Sequence, residues 1–278
     1  MFVRKLTFVW LILASFLASA SVSQAAEPKK PNVLLICVDD LKPLIGAYGD
    51  PLAQTPNLDA LAKRGVRFDA AFCNQAVCAP SRNSLLTGIR PQSLGIYDLA
   101  TNFRAARPDA VTLPQAFKDQ GYHCQALGKI FHVGHGNHED PKSWSVPHWK
   151  VKSIDYASPE SKPEGLTREE ALFSNDFSKP IGKLPRGAAL EAADVEDNTY
   201  ADGKLADEAI QRIDALAKTP DAPFFLAVGF VKPHLPFCAR KSTGTNSIPP
   251  SSSWPSSPNR PKGRRIAHDE MGGVTGLQ

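Results

Sequence analysis

The run Val33-Leu34-Leu35-Ile36-Cys37-Val38 constrains the fold more than any other stretch, because it is apolar without alternation and is bracketed by Pro31-Asn32 and Asp39-Asp40. A strand with apolar side chains on both faces has to be covered on both, as strands are inside a parallel or mixed sheet flanked by helices. The rest of the chain repeats that logic. Thr55 to Gly65 has a capping residue, Pro56 at the first helical position, Lys63 and Arg64 in the last turn and a terminal glycine, which predicts a helix. Val66 to Ala71 reads as a strand, Ser81 to Thr87 as a helix stopped by Gly88, Thr112 to Gln120 as a helix stopped by Gly121, and Tyr122 to Leu127 as a strand. Between Val133 and about Tyr200 periodicity fades, and long connections with short elements are expected. It returns at Ala201 to Lys218, where Leu205, Ala209, Ile213, Leu216 and Ala217 share one helical face, and Pro223 to Phe230 follows as a buried strand. Alternating strands and helices predict an α/β fold with helices on both faces of a sheet.

The two ends differ from this middle. Arg4-Lys5, the thirteen residues from Leu6 to Ala18 and the small residues at Ala18-Ser19-Ala20 and Ser23-Gln24-Ala25 read as a secretory signal peptide over 1–25. Its apolar core is shorter than the roughly 20 residues of a spanning helix. Export to a periplasmic or extracellular space is expected, with no membrane attachment after cleavage. From 240 to 278, Ser, Pro and Gly make up 17 of 39 residues with no apolar period, the composition of a low-complexity tail. The formal charge is +4, but the basic excess belongs to these ends and the middle is net −2. A pI of 8.7 is therefore no argument for a nucleic-acid partner.

Asp39-Asp40 stands where the first strand ends, the position outside which ligands collect in open α/β sheets. Two adjacent carboxylates there either cap a turn or hold a hard, oxygen-ligated cation. The five cysteines are an odd number, so not all can pair within the chain; Cys37 and Cys124 lie in apolar segments and read as small buried hydrophobes. Cys78 does not. His132, His135 and His138 recur every three residues, but Gly134 and Gly136 interrupt any helix that would align them on a zinc ion.

Cys78-Ala79-Pro80-Ser81-Arg82 opens a helix that continues Leu85-Leu86-Thr87-Gly88, and this resembles the signature of type I sulfatases, whose cysteine is oxidised to Cα-formylglycine. The segments 31–40, 55–62, Gly128-Lys129-Ile130-Phe131-His132 and Val231-Lys232-Pro233-His234-Leu235-Pro236-Phe237 are similar to sulfatase segments too, and the last two resemble the iduronate-2-sulfatase-like branch. The resemblance runs from Pro31 to about Phe237. It implies an alkaline-phosphatase-like mixed sheet between helices, with residues 26–239 forming the N-terminal part of a catalytic domain truncated before its C-terminal subdomain. It implies Ca²⁺ held by Asp39, Asp40 and the modified Cys78. Arg82 and Lys129 would be cationic partners of the formylglycine, and His132 and His234 would face the sulfate ester. The implied partners are a sulfated carbohydrate or other sulfate ester and a formylglycine-generating or sulfatase-maturing enzyme.

Beyond Ala239 the resemblance stops. The family's remaining metal ligands and a second lysine belong to the part that would follow, and His268-Asp269 does not match them. Either the tail is native, or it is the product of a reading-frame shift. Permitted codons for residues 239–250, read from the third base, give Pro-Lys-Lys-Tyr-Trp-Asp-Lys-Phe-Asp-Pro-Ala, which resembles the family's continuation. Two alternatives to a working sulfatase follow, an inactive truncated fragment and a phosphate or phosphonate ester hydrolase of the same superfamily.

Overall fold

The computed structural model describes residues 29–151, 156–162, 164–219 and 222–241. The expected signal peptide and all but the first two residues of the expected tail lie outside the described residues. The seven-residue strand Phe224–Phe230 is the middle of a three-stranded sheet, flanked by Val33–Val38 and His123–Gly128, both parallel to it. In chain order these strands are β1, β2 (His123–Gly128) and β4, with β3 (Leu190–Ala193) and β5 (Phe237–Arg240) forming a separate parallel pair. Cys37 of β1 and Gly128 of β2 both sit opposite Gly229 of β4, so the carboxyl ends of all three strands finish level. The α/β class is as expected, and every strand pair described is parallel.

Helices cover the sheet unequally. On one face, α2 (Cys78–Thr87), α3 (Leu113–Asp119) and the one-turn helices Pro91–Leu94 and Phe103–Ala106 pack on Cys124, Ala126, Phe225 and Ala227. Thr112 caps α3 by accepting from the Gln115 N–H, and Gly88 ends α2 in a left-handed conformation, as the stop signals predict. On the other face lies α5 (Ala201–Ala217), whose Leu205, Ala209, Ile213 and Leu216 pack over Leu127, Leu226 and Val228. Burying a side chain such as Leu205 contributes roughly 1.5–3 kcal/mol. Ala217, expected on that stripe, is exposed. On the same face of β1, Leu34, Ile36 and Val38 are 46%, 50% and 36% exposed, so the strand predicted to be covered on both sides is covered on one.

Two other expectations are corrected, and one is borne out. Val66 to Ala71 is a loop after α1 (Pro56–Arg64), with Val66, Phe68 and Phe72 more than two-thirds exposed. A strand needs a neighbour, and here the Phe68 carbonyl accepts from the Tyr48 hydroxyl at 2.9 Å instead. α2 begins at Cys78, three residues before the Ser81 start read from the sequence. The region 133–200, expected to hold only short elements, does so but includes α4 (Arg168–Ser174), with a full capping box between Thr167 and Glu170.

Two glycines set how closely the strand ends approach. A Cβ on Gly229 would lie 1.9 Å from the Lys129 carbonyl oxygen, and one on Gly128, at φ +69°, would lie 2.3 Å from the Gly229 carbonyl. Both contacts are with backbone, which cannot swing away. Gly229→Ala should therefore cost at least about 2 kcal/mol of stability, read as a lowered urea midpoint, while Ala227→Gly on the same strand should cost roughly 1 kcal/mol.

Candidate active site

Each strand of the parallel sheet delivers a polar group at its carboxyl end. β1 runs into Asp39 and Asp40, β2 into Lys129, Ile130 and His132, and β4 into the turn that carries His234. The Asp39 N–H still donates to the Phe230 carbonyl at 3.0 Å, so Asp39 is the last residue held by the ladder. Asp40 then turns away at φ +54°, with its side chain more than half exposed. α2 adds Cys78 at its first turn and Arg82 one turn later, which places both on the face toward Asp39.

The Asp39 carboxylate is 5% exposed and joins the group together. Arg82 Nη2 donates to its Oδ1 at 2.8 Å, and Lys129 Nζ donates to its Oδ2. Arg82 also donates through Nη1 to the carbonyls of Lys129 and Ile130, so one guanidinium ties α2 to the ends of both outer strands. Burial pushes the Asp39 carboxyl upward, but Lys129 and Arg82 more than offset it and hold the group at about 2. Cys78 Sγ lies 3.6 Å from Asp39 Oδ2 and 3.8 Å from Lys129 Nζ. Burial raises its thiol, with Lys129 opposing, so it stays protonated at neutral pH and is a poor nucleophile as an unmodified cysteine. Arg82 and Lys129 thus stand beside Cys78 with the carboxylates of Asp39 and Asp40 as their counter-charges.

The histidines divide into two kinds. His132 is 3% exposed, its Nε2 lies 3.3 Å from His135 Nδ1, and its own Nδ1 is buried with no hydrogen-bond partner. Burial, with Lys129 adding, lowers its pKa to about 3, so the ring is neutral. His234 holds its Nδ1 2.6 Å from the Leu235 carbonyl, which puts the proton on Nδ1 and leaves Nε2 free, 3.8 Å from Asp40 Oδ2. His138 is exposed, so the three histidines read from the sequence at one spacing do not converge. Cys124 is buried as expected, whereas Cys37 is half-buried.

Every residue predicted for the site is thus brought to one place, and the structure adds one that periodicity did not reveal. The Phe173 ring of α4 lies 5.3 Å from Lys129 Nζ and stands edge-on to His234 at 5.4 Å, walling both. Away from these residues, Glu139 is largely buried; Trp144 Nε1 donates to its Oε2 at 3.2 Å, while Oε1 has no hydrogen bond and lies 3.7 Å from His148 Nε2. Nearby, His148 Nε2 donates to the Gly128 carbonyl at 2.6 Å. Neither residue lies in a stretch whose pattern marks it.

Asp39, Cys78 and His234 present ligand atoms within 4.8 Å of one another. Carboxylate oxygens of Asp39 and Asp40 suit a hard cation, but a shell of six to eight oxygens needs more than these two side chains supply. The donor set therefore fits part of a site for such an ion.

Two outcomes follow from these charges. Asp39→Asn leaves Arg82 and Lys129 facing each other without a counter-charge, and should lower stability by about 3–5 kcal/mol in urea denaturation. Glu139 is raised by burial to about 7, so the folded protein keeps a proton that the unfolded chain releases near 4.5. That contribution is fully present below pH 4.5 and is lost as pH rises through 7. Glu139→Gln should flatten the stability profile across that window and be more stable than the parent at pH 8.

A family model described as Sulfatase matches residues 31–256. Iduronate 2-sulfatase of Mus musculus is 41% identical over 240 residues, covering 84% of this chain and 41% of that protein, and a sulfatase of Formosa agariphila is 33% identical, covering 76% and 40%. Among solved structures, Ps i-CgsB in complex with k-i-k-neocarrahexaose aligns with a TM-score of 0.55 at 22% identity, over 80% of this chain and 50% of that one. The phosphonate monoester hydrolase of Agrobacterium radiobacter aligns with a TM-score of 0.53 at 23% identity, over 80% and 45%. These structures share the fold. The chain spans about two-fifths of the curated relatives it matches, and it belongs to the sulfatase family, of which it carries the N-terminal part.

Proposed function

We propose that this chain provides the nucleophile half of an exported sulfuric ester hydrolase acting on sulfated sugars, with iduronate-2-sulfatase-like substrates as the nearest class. The observation that carries the reading is Cys78 at the first turn of a helix, within 4 Å of both Asp39 and Lys129, with Arg82 bonded to the same Asp39 carboxylate. Oxidised to formylglycine and hydrated, Cys78 would supply one hydroxyl to attack sulfur and a second whose deprotonation releases sulfate. A calcium ion held by Asp39 and Asp40 would add charge stabilisation there.

The chain's own residues supply the rest. Arg82 and Lys129 balance charge that builds on the sulfuryl oxygens, and removing one such preorganised donor typically lowers a rate about 10²–10³-fold. The N-terminus of α2 has no side-chain cap. His132, neutral and buried, has an unpartnered Nδ1 to offer a sulfate oxygen. His234 has Nε2 free to carry a proton to the departing alcohol, and its Nδ1 contact keeps the ring oriented for that transfer. Domain limits of 1–25 for a signal peptide and 26–239 for the catalytic part go with this reading, as do passage through a maturation enzyme and residence outside the cytoplasm.

An alternative, hydrolysis of phosphate or phosphonate esters, is favoured by fold similarity to the phosphonate monoester hydrolase. The Cys-Ala-Pro-Ser-Arg signature at Cys78 favours sulfate. As the 278-residue chain stands, the cation site is incomplete, and turnover should be close to absent. Co-expressed with a sulfatase-maturing enzyme, the peptide containing residue 78 should show an aldehyde or its hydrate by mass spectrometry; a thiol or disulfide alone would sink the assignment. In a chain extended by the family's continuation past Ala239, hydrolysis of an aryl sulfate or a 2-O-sulfated uronate should appear. Cys78→Ser should abolish it with the melting temperature little changed, and His234→Gln should lower kcat by about 10²–10⁴-fold.

A further inference from the structure

The peptide group joining Gly128 to Lys129 decides where the Lys129 side chain starts, and both of its polar ends are held. The Lys129 N–H donates to the Gly229 carbonyl at 2.8 Å, toward the sheet. The Gly128 carbonyl, at the other end of the same peptide, accepts from His148 Nε2 at 2.6 Å. The first bond belongs to the parallel ladder and needs no particular side chain, whereas the second needs an imidazole from a distant part of the sequence. Gly128 explains the need for it. A Cβ there would collide with the Gly229 backbone, and its φ of +69° is left-handed, so the close approach requires glycine. The same glycine leaves the peptide that follows it the freest to rotate. The chain around His148 is placed to supply the missing restraint. The Gly128 N–H donates to the Trp149 carbonyl at 2.9 Å and the Trp149 N–H to the Ala126 carbonyl at 3.0 Å, which lays this segment along the edge of β2 away from β4. The His148 side chain is 6% exposed. A carbonyl can only accept, so the proton is on Nε2 and Nδ1 is a bare lone pair, buried and without a partner. Burial lowers the ring to about 4, with the Gly128 bond opposing, and it is neutral at neutral pH.

We infer that His148 is a positioning residue for Lys129: by holding the Gly128 carbonyl it fixes the plane of the peptide before Lys129, and with it the direction in which the ammonium group is delivered to Asp39 and Cys78. Arg82 Nη1 holds the Lys129 carbonyl on the far side of the same residue. With His148 in place, Lys129 is thus pinned before, at and after its α-carbon, and its Nζ bonds Asp39 Oδ2 while lying 3.8 Å from Cys78 Sγ. Without the imidazole the Gly128 carbonyl loses that donor, and the peptide is free to turn toward another at the expense of the Lys129 direction. That Lys129 then balances charge on a sulfuryl oxygen rests on the proposed sulfatase reading. The hold on the peptide does not, and it is measurable without turnover.

The test reads Lys129 itself, by NMR of the 278-residue chain carrying isotope-labelled lysine and histidine. In the parent, the imidazole nitrogen shifts of His148 should show a protonated Nε2 and a bare Nδ1; the opposite tautomer would overturn the inference whatever the variants do. The Lys129 ammonium signal, assigned by its loss in Lys129→Arg, should be protected from exchange with water by its bond to Asp39. His148→Phe keeps a ring and removes the donor. It should speed that exchange about tenfold, the shift expected from one lost hydrogen bond, while amide exchange across α5 stays as in the parent. His148→Asn, whose shorter amide does not reach the carbonyl, gives the same reading should the Phe variant fail to fold. His148→Gln, whose longer amide does reach, should restore protection, and Glu139→Gln, which leaves the bond to Gly128 in place, should not alter it. Unchanged Lys129 exchange in the Phe and Asn variants, no recovery in His148→Gln, or equal acceleration in Glu139→Gln would each overturn the assignment. Loss of the sulfatase reading would show separately, as an unmodified residue 78 in a chain whose Lys129 still responds to His148.

Discussion

The site and the sheet that presents it depend on one buried carboxylate. Asp39 is held from two sides by Arg82 and Lys129, and Arg82 is in turn held by the carbonyls of Lys129 and Ile130. Removing three charged groups from water is costly, and such clusters are weak contributors to net stability compared with apolar packing. Their effect is geometric. Each group can satisfy its charge in only one arrangement, so α2, the end of β1 and the end of β2 are brought to fixed positions, and Cys78 with them.

Parallel pairing makes this convergence possible. With Cys37 and Gly128 both opposite Gly229, the three strands end on one level, and the loops that follow them open onto a common space. Close backbone approach at Gly128 and Gly229 keeps that space narrow. The third wall is α4, stitched to the loop after His132 by the His135 N–H to the Leu172 carbonyl and by Gly136 N–H to Asn175 Oδ1. Phe173 on that helix then shields Lys129 and His234 from one side. A desolvated ammonium beside an aromatic face interacts more strongly with an incoming anion than a hydrated one does.

The same sheet is complete on one face and open on part of the other. Its apolar content was written for burial on both sides at β1, as at β4, yet α5 reaches only β2 and β4. Such a surface is unfavourable in water and prone to self-association, which ties the behaviour of the polypeptide in solution to whatever covers that strand.

The α/β class, the helix stops at Gly88 and Gly121, the α5 stripe and the segments that bring the candidate residues Asp39, Asp40, Cys78, Arg82, Lys129, His132 and His234 together were legible in the sequence. Strand and helix periods are local properties, and the motif residues sit within a few positions of the elements that present them. The loop at 66–71 was misread because an alternating pattern does not say whether a neighbouring strand exists to pair with. The start of α2 at Cys78 was missed because proline at position 80 looks like a first-turn residue one or two positions earlier than it is. Only the tertiary structure decided that Phe173 belongs beside the site, since it reaches Lys129 and His234 across long connections with no periodic signal. It alone decided, too, that His138 points away while His132 and His135 meet, and that Leu34, Ile36 and Val38 lack a cover. Those are matters of which distant segments touch, and contact between distant segments is set by the packing of the whole sheet rather than by any local run of residues.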